Sequence, residues 1–137
     1  MSRIGRAIPA VLYAGVLVAL SLSPTGPATG SETARMVKRW LFNLTHVPAY
    51  ALLTLLVYWA LSRTLHAQRG RLMLAAVLAA TLGVMLEVLQ RWVPGRFPDV
   101  VDGSLNALGC VLTILMLWGR KRRGIRAIAL AADERSI

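Results

Sequence analysis

Three of the six acidic residues of this chain lie within sixteen consecutive positions, and each stands in or beside an apolar stretch. They are Glu87, Asp99 and Asp102. A charged side chain inside hydrocarbon costs at least ~2.5 kcal/mol, so a carboxylate in such a place needs a partner or a purpose. It can serve as a general base, bind a cation or hydrogen-bond a ligand. These residues are therefore the first candidates for function.

Polar residues recur at helical spacing in three places along the chain. Spacings of three and four positions put the members of each set on one face of a helix. The sets are Asn43, His46 and Tyr50; Gly83, Glu87 and Gln90; and Asp99, Asp102, Asn106 and Gly109. Three such faces at matched depth would converge on one pocket, and the glycines would permit the helices to approach closely.

Arg96 lies in the loop between the second and third sets, and we expect it to contact an anion through its two-pronged guanidinium. Glu87 and His46 are the candidate catalytic residues, as general bases, although no activated nucleophile is evident. The candidate binding residues are His46, Tyr50, Glu87, Gln90, Arg96, Asp99, Asp102 and Asn106. The alternative that these groups form a purely structural network of ion pairs stays open.

The sequence contains few other motifs that indicate a catalytic or metal-binding site. The single cysteine, Cys110, excludes an internal disulfide and a cysteine-rich zinc site. The chain also lacks HExxH, GxSxG and phosphate-loop motifs. His46 and the acidic residues are too scattered to indicate a metal site, so neither a metal nor a cofactor is expected. The oligomeric state is left open by the sequence.

The elements that must position these residues are membrane helices. Of the 137 residues, 56% are hydrophobic, which is more than an ordinary water-soluble domain carries. Four apolar runs, at roughly 7–23, 41–61, 72–90 and 102–119, each approach the ~20 residues that cross a ~30 Å hydrocarbon core. We expect a single-domain, all-α, polytopic integral membrane protein: a four-transmembrane-helix bundle with a short interfacial helix, over 31–40, before the second span.

The first apolar run admits a second interpretation. Arg3 and Arg6, followed by an apolar stretch and by small residues near Ala28, would also suit a cleavable signal peptide. The helix breakers between Pro24 and Pro27 and the short distance to the next span favour a retained helix.

Pro48 lies in the second span, two residues after His46. Proline has no N–H for the helix, and its ring clashes with the carbonyl four residues earlier, which belongs to Leu44. We therefore expect the helix to bend beside His46 and to leave a carbonyl without its usual donor.

Lysine and arginine are distributed unequally between the two ends of the spans. The amino terminus, the second loop and the basic tail at 120–137 carry eleven of them, against five in the first and third loops. The positive-inside rule then predicts that both termini are cytoplasmic, in the cytoplasmic (inner) membrane. A net charge of +10 also occurs in proteins that bind nucleic acid, but here the charges lie between apolar runs. The lipid bilayer, and no nucleic acid, is the expected partner.

The ordered polar residues resemble those of the VanZ-like family of small membrane proteins. The resemblance rests on residues 46–50 (His-Val-Pro-Ala-Tyr), 87–90 (Glu-Val-Leu-Gln), 94–96 (Pro-Gly-Arg), Asp99, Asp102, Asn106 and Gly109, with Ser-Leu-Ser-Pro at 21–24. It implies a four-helix membrane protein related to a founding member associated with resistance to the glycopeptide teicoplanin. Phe42 and Asn43 replace the Asp-Lys that often precedes the histidine in the family, and Thr113 replaces a second glycine.

Two functions follow as expectations. The first is a binding or envelope-modulating protein, whose outward polar pocket engages a phospholipid headgroup or a lipid-linked cell-wall intermediate of the outer leaflet. The alternative is a membrane-embedded hydrolase or transferase acting on a lipid-linked substrate, with Glu87 or His46 as general base and Arg96 stabilising an anion. An ion or proton pathway is the least supported, because the cytoplasmic halves of the spans lack polar residues.

The charge distribution predicts which loops can be labelled from outside the cell. In a Cys110→Ala background, Phe97→Cys should react with an impermeant maleimide, because the third loop is expected outside. Ala67→Cys should react only after the membrane is opened. The reverse pattern would place the polar residues on the cytoplasmic side.

Overall fold

A computed structural model describes residues 2–24, 30–96 and 99–133 of the chain. Every regular element in these ranges is helical. The helices are α1 (Arg3–Leu22), α2 (Glu32–Leu44), α3 (His46–Ala60), α4 (Gln68–Leu89) and α5 (Val100–Asp133). Two 3₁₀ turns, Leu61–Arg63 and Gln90–Trp92, directly follow α3 and α4.

Four stretches of the described chain are helical, long and apolar enough to cross a membrane. They are Arg3–Leu22, Glu32–Arg63, Gln68–Trp92 and Val100–Lys121. Many large apolar side chains on them face outward, among them Leu12, Val77 and Val84, which are 66%, 59% and 61% exposed. Such a surface suits hydrocarbon and would be unusually apolar for a protein in water. The predicted all-α bundle of four membrane spans is confirmed.

Serine residues form the N-caps of α1 and α2. Ser2 Oγ accepts a hydrogen bond from the Gly5 N–H at 3.1 Å at the start of α1. Ser31 Oγ accepts from the Ala34 N–H at 3.3 Å at the start of α2. Each serine satisfies an N–H group that the first turn of a helix leaves unpaired, which is why the helices start where they do.

A short helix, α2, lies where one was expected, but it extends beyond the predicted 31–40, and the apolar stretch Glu32–Arg63 includes it. α2 continues to Leu44 because the apolar residues keep their helical spacing beyond Trp40. Trp40 and Leu41 remain mostly exposed, while the carboxyl end of α2 contacts α3 and α5. α2 therefore presents an apolar face to its surroundings and leads directly into α3.

The helix is interrupted between α2 and α3 at Thr45. Both the N–H and the hydroxyl of Thr45 donate to the Phe42 carbonyl, at 3.0 and 2.6 Å, which tightens the last turn of α2. Pro48 has no N–H to give to Leu44, so regular helical hydrogen bonding cannot pass through this point. The interruption agrees with the predicted bend beside His46 and lies one residue before it.

α3 is the central helix and contacts α1, α4 and α5. Its contact with α5 depends on Gly109, where an added Cβ would overlap the Val47 carbonyl oxygen and lie 3.0 Å from the Ala51 nitrogen. One turn along α5, Thr113 Oγ1 donates to the Ala51 carbonyl at 3.1 Å. A small residue and a hydroxyl thus bring the two backbones together, as is common where membrane helices pack.

The apolar core lies where α1, α3, α4 and α5 meet. Its buried members are Leu17, Tyr50, Leu53, Ala76, Ala79 and Cys110. Alanines on the inner face of α4 let that helix approach α3 closely, since a methyl group takes little space. Cys110 is a free, buried thiol, in line with its place inside an apolar run.

Successive spans run in opposite directions, so the bundle has two chemically different ends. At one end, Arg6 Nη1 donates to Ser62 Oγ at 2.6 Å and joins the start of α1 to the end of α3. At the other end, Gln90 Nε2 donates to the Ser21 carbonyl at 3.3 Å and joins the end of α4 to the end of α1. We call the first the amino-terminal end and the second the polar end.

Gly109→Ala is expected to destabilise the protein by about 1 to 3 kcal/mol, because the new methyl group must displace the backbone of α3. Gly119→Ala is the matched control on the same helix, since an added Cβ there meets nothing within 4 Å. Thermal unfolding of the detergent-purified proteins measures the difference. Equal melting temperatures for the two variants would disprove the close approach of α3 and α5.

Candidate functional site

The polar end brings together five of the predicted site residues. They are His46, Glu87, Asp99, Asp102 and Asn106, and we call them the polar layer. His46 is the first residue of α3, and Glu87 lies in the last turn of α4. Glu87 is within electrostatic range of His46, Asp99 and Asp102. Members of all three sets inferred from residue spacing thus meet at one end of the bundle, but not all on single helix faces. The break at Thr45 places Asn43 on α2 and His46 on α3, and Asp99 precedes the first residue of α5.

Glu87 and Asp99 cap the amino end of α5. Glu87 Oε2 accepts a hydrogen bond from the Asp99 N–H at 3.1 Å. Asp99 Oδ1 accepts from the Val101 N–H at 2.9 Å. The first N–H groups of a helix lack partners within it, and the positive end of the helix dipole favours negative charge. These two carboxylates therefore have a structural role, holding the start of α5 against the end of α4.

Asp102 and Asn106 lie one turn apart on α5, and each has a buried oxygen without a donor. Within the described chain, Asp102 Oδ1 and Asn106 Oδ1 accept no hydrogen bond. Asn106 is 4% exposed and packs against Gly83, where an added Cβ would lie 3.1 Å from Asn106 Nδ2. Leaving a buried acceptor unsatisfied costs ~1 to 3 kcal/mol. The two oxygens are therefore suited to a ligand that donates hydrogen bonds.

The imidazole of His46 is oriented by the end of α2. Its Nδ1 lies 3.0 Å from the carbonyl oxygen of Asn43. A carbonyl can only accept, so this contact requires the proton on Nδ1, and in the neutral tautomer Nε2 is then the nitrogen with the free lone pair. The ring is within electrostatic range of Glu87 and Asp102, but among the described residues it forms an ion pair with neither.

Arg96 contacts the end of α1. Its Nη2 donates to the Leu20 carbonyl at 2.9 Å, and its Nε donates to the Ser23 carbonyl at 3.3 Å. The last carbonyls of a helix have no donor within the helix, and Pro24 prevents α1 from continuing. Arg96 is within electrostatic range of Asp102, yet no ion pair joins it to an acidic residue in the described ranges. It thus anchors α1 to the loop after α4.

Gln90 and Tyr50, two further predicted binding residues, are 4% and 3% exposed. Gln90 donates to the Ser21 carbonyl and so also holds the end of α1. Tyr50 lies beneath the polar layer, where an added Cβ at Gly83 would be 3.0 Å from Tyr50 Cε1. An added Cβ at Gly109 would be 3.2 Å from Tyr50 Cβ. Both side chains are therefore packed inside the protein next to the polar layer.

The end of α1 is the part of the site that sequence reasoning missed. It contributes backbone carbonyls, those of Leu20, Ser21 and Ser23, which no side-chain motif reveals. Pro24 is the sequence signal that could have indicated these carbonyls. A helix that ends at a proline leaves its last carbonyls without donors, and in an apolar medium neighbouring side chains must supply them.

The chemistry available at the polar layer is mainly hydrogen-bond acceptance. Two of its carboxylates already bind backbone N–H groups, whereas Asp102 and Asn106 each offer a buried oxygen. Over the described ranges, no group of three His, Cys, Asp or Glu residues is arranged to hold a metal ion. Hydroxyl, amide and ammonium groups are the kinds of donor that such oxygens accept from.

Comparison with known proteins relates this architecture to one family. A family model described as VanZ/LLP1 matches residues 10–122. The match includes the whole polar layer, Arg96 and the end of α1. No curated protein and no solved structure matches the chain.

Arg96→Lys is expected to lower the free energy of unfolding by about 1 kcal/mol, because one hydrogen bond to the end of α1 is lost. Lysine keeps the positive charge but lacks the planar, two-pronged donor geometry. Arg91→Lys is the control, since Arg91 is exposed in the adjoining turn. Thermal unfolding in detergent compares the two. A melting temperature for Arg96→Lys equal to that of the control would show that these carbonyl contacts do not stabilise α1.

Proposed function

The chain belongs to the VanZ/LLP1 family, and from this premise we propose that its polar layer binds a lipid headgroup in the cell envelope. The ligand is an outer-leaflet phospholipid or a lipid-linked cell-wall intermediate. The observation that carries the proposal is the pair of buried oxygens without donors, Asp102 Oδ1 and Asn106 Oδ1. Sugar hydroxyls, amides and ammonium groups supply the donors that these oxygens lack.

The depth of the polar layer supports a membrane-anchored ligand. Asp102 is the third residue of α5, and Glu87 lies two residues before the end of α4. At ~1.5 Å of rise per residue, both side chains lie within a few ångströms of their helix ends. A lipid presents its headgroup at about this depth, so it reaches the site without leaving the bilayer.

The charges favour a headgroup that carries both donors and an anion. Three carboxylates make the polar layer attractive to ammonium or hydroxyl groups. Arg96 uses two of its five N–H donors on the carbonyls of α1. We assign its remaining donors to a phosphate or carboxylate of the same ligand. A zwitterionic phospholipid and a sugar-bearing lipid phosphate both combine these groups.

The link to teicoplanin resistance is part of this proposal. A protein that holds a cell-wall intermediate would change how much of it meets a glycopeptide outside the cell. This requires the polar end to face outward, which is the orientation that the distribution of lysine and arginine predicts.

A membrane-embedded hydrolase or transferase is the second candidate, and the hydrogen bond between His46 and Asn43 favours it. With its proton on Nδ1, the neutral imidazole has a free lone pair on Nε2, as a general base requires. Glu87, the other candidate base, already binds the Asp99 N–H. Among the described residues no hydroxyl or thiol hydrogen-bonds the imidazole, so binding remains the preferred function.

Asn106→Leu and Asp102→Leu test the proposal with side chains of similar size that cannot hydrogen-bond. Both should lose the lipid that wild-type protein enriches from a bacterial lipid extract in nanodiscs, as read by mass spectrometry. Removing an unsatisfied buried acceptor should at the same time preserve or raise thermal stability, by up to ~1 kcal/mol. Ser104→Ala is the control, because Ser104 is exposed and donates only within its own helix, to the Val100 carbonyl.

Different outcomes distinguish the two candidate functions. A wild-type lipid profile in Asn106→Leu and Asp102→Leu would reject the headgroup site. Turnover of a lipid-linked phosphate, ester or amide by purified protein, stopped by His46→Ala or Glu87→Gln, would establish the enzyme instead. Teicoplanin susceptibility of cells that carry each variant tests the connection to resistance separately.

A further inference from the structure

The amino-terminal end of the bundle, opposite the polar layer, contains an open basic pocket of about 640 Å³. It is lined by Ser2, Arg3, Arg6, Ser62, Arg63 and His66. Three of these residues are arginines and none is acidic, so the pocket carries a positive charge that no lining residue neutralises. Guanidinium groups bind phosphate with strong, charge-assisted hydrogen bonds.

Arg6 is the most constrained of the lining arginines. Its Nη1 donates to Ser62 Oγ at 2.6 Å, and its guanidinium carbon lies 5.3 Å from the centre of the Trp59 ring. These contacts hold the side chain in place. Its Nε is buried and donates no hydrogen bond within the described chain. A charged donor without an acceptor is costly, which favours an anion in contact with this guanidinium.

The start of α1 adds to the positive potential of the basic pocket. Ser2 and Arg3 line the pocket and also form the first turn of the helix. The amino end of a helix carries a partial positive charge and unpaired N–H groups, which favour an anion nearby. The helix dipole therefore acts in the same direction as the three arginines.

An apolar groove lies further along the same helix, with a volume of about 210 Å³. It is lined by Ala10, Val11, Ala14, Leu53, Val57, Leu78, Ala79 and Leu82. Arg6, Ala10 and Ala14 are four residues apart and share one face of α1. At ~1.5 Å per residue, the groove begins about 6 Å below the basic pocket.

From the pocket and the groove together we propose that an anionic phospholipid of the adjoining leaflet binds here. Its phosphate occupies the basic pocket, and an acyl chain lies in the apolar groove. The charge selects an anionic headgroup, and the groove beneath it selects a lipid over free phosphate. This site is separate from the polar layer and from the lipid proposed there, because it lies at the other end of the bundle.

Two pocket variants test the headgroup contact in the full-length protein. The probe is phosphatidylglycerol, present as a minor component of phosphatidylcholine nanodiscs, and native mass spectrometry measures how much the protein retains. Arg6→Gln and Arg63→Gln should each reduce retention about tenfold, as expected for the loss of one charge-assisted contact. Arg69→Gln removes a charge at the same end but outside the pocket lining, and it should retain wild-type amounts.

A second pair of variants tests the groove. Val11→Trp fills it, whereas Leu12→Trp adds the same bulk to a neighbouring side chain that does not line it. The two positions are equally exposed, at 67% and 66%, so both variants should fold alike. Retention of phosphatidylglycerol should fall in Val11→Trp and stay unchanged in Leu12→Trp.

Two results would overturn the proposal. An equal loss of phosphatidylglycerol in Arg69→Gln and in the pocket variants would show general attraction to a basic surface. Displacement of the lipid by inorganic phosphate, together with full retention in Val11→Trp, would assign the basic pocket to a soluble phosphate instead. Neither result bears on the polar layer, whose variants are different.

Discussion

Hydrocarbon offers no hydrogen-bond partners, so the polar groups of a membrane bundle must be satisfied inside the protein. In this chain that requirement also determines how the helices are joined. Thr113 binds a carbonyl of α3, Glu87 binds the N–H at the start of α5, and Arg96 binds carbonyls at the end of α1. Each contact satisfies a polar group inside the protein and holds one helix end or helix face against its neighbour. The geometry of the polar end is a consequence of these contacts.

The buried side-chain atoms that remain unsatisfied in the described chain are found only at the two ends of the bundle. Asp102 and Asn106 have such oxygens at the polar end, and Arg6 and Arg71 have such nitrogens at the amino-terminal end. The polar end therefore has buried acceptors without donors, and the amino-terminal end has buried donors without acceptors. This difference suits two different headgroup chemistries in two leaflets. α1 takes part at both ends, through its last carbonyls and through its first turn.

Much of this architecture could be predicted from the sequence, because the underlying signals are local. The four spans follow from the apolar character of about twenty successive residues, which needs no knowledge of the fold. The grouping of His46 with Tyr50, and of Asp102 with Asn106, follows from helical periodicity. Successive spans cross the membrane in opposite directions, and this alternation alone predicts that the polar residues of the three sets lie at the same depth. The serine caps and the interruption beside Pro48 are equally local.

The partners of these residues were decided by the tertiary structure. Arg96 and Gln90 were predicted as ligand-binding residues, and the structure adds that both donate to carbonyls at the end of α1, which for Arg96 lie 73 and 76 positions away. Backbone carbonyls are the same in every residue, so no residue type marks them as partners. The caps formed by Glu87 on α5 and the tight contact at Gly109 likewise exist only once α3, α4 and α5 are packed. Periodicity determines which residues share a helix face, and packing determines what that face meets.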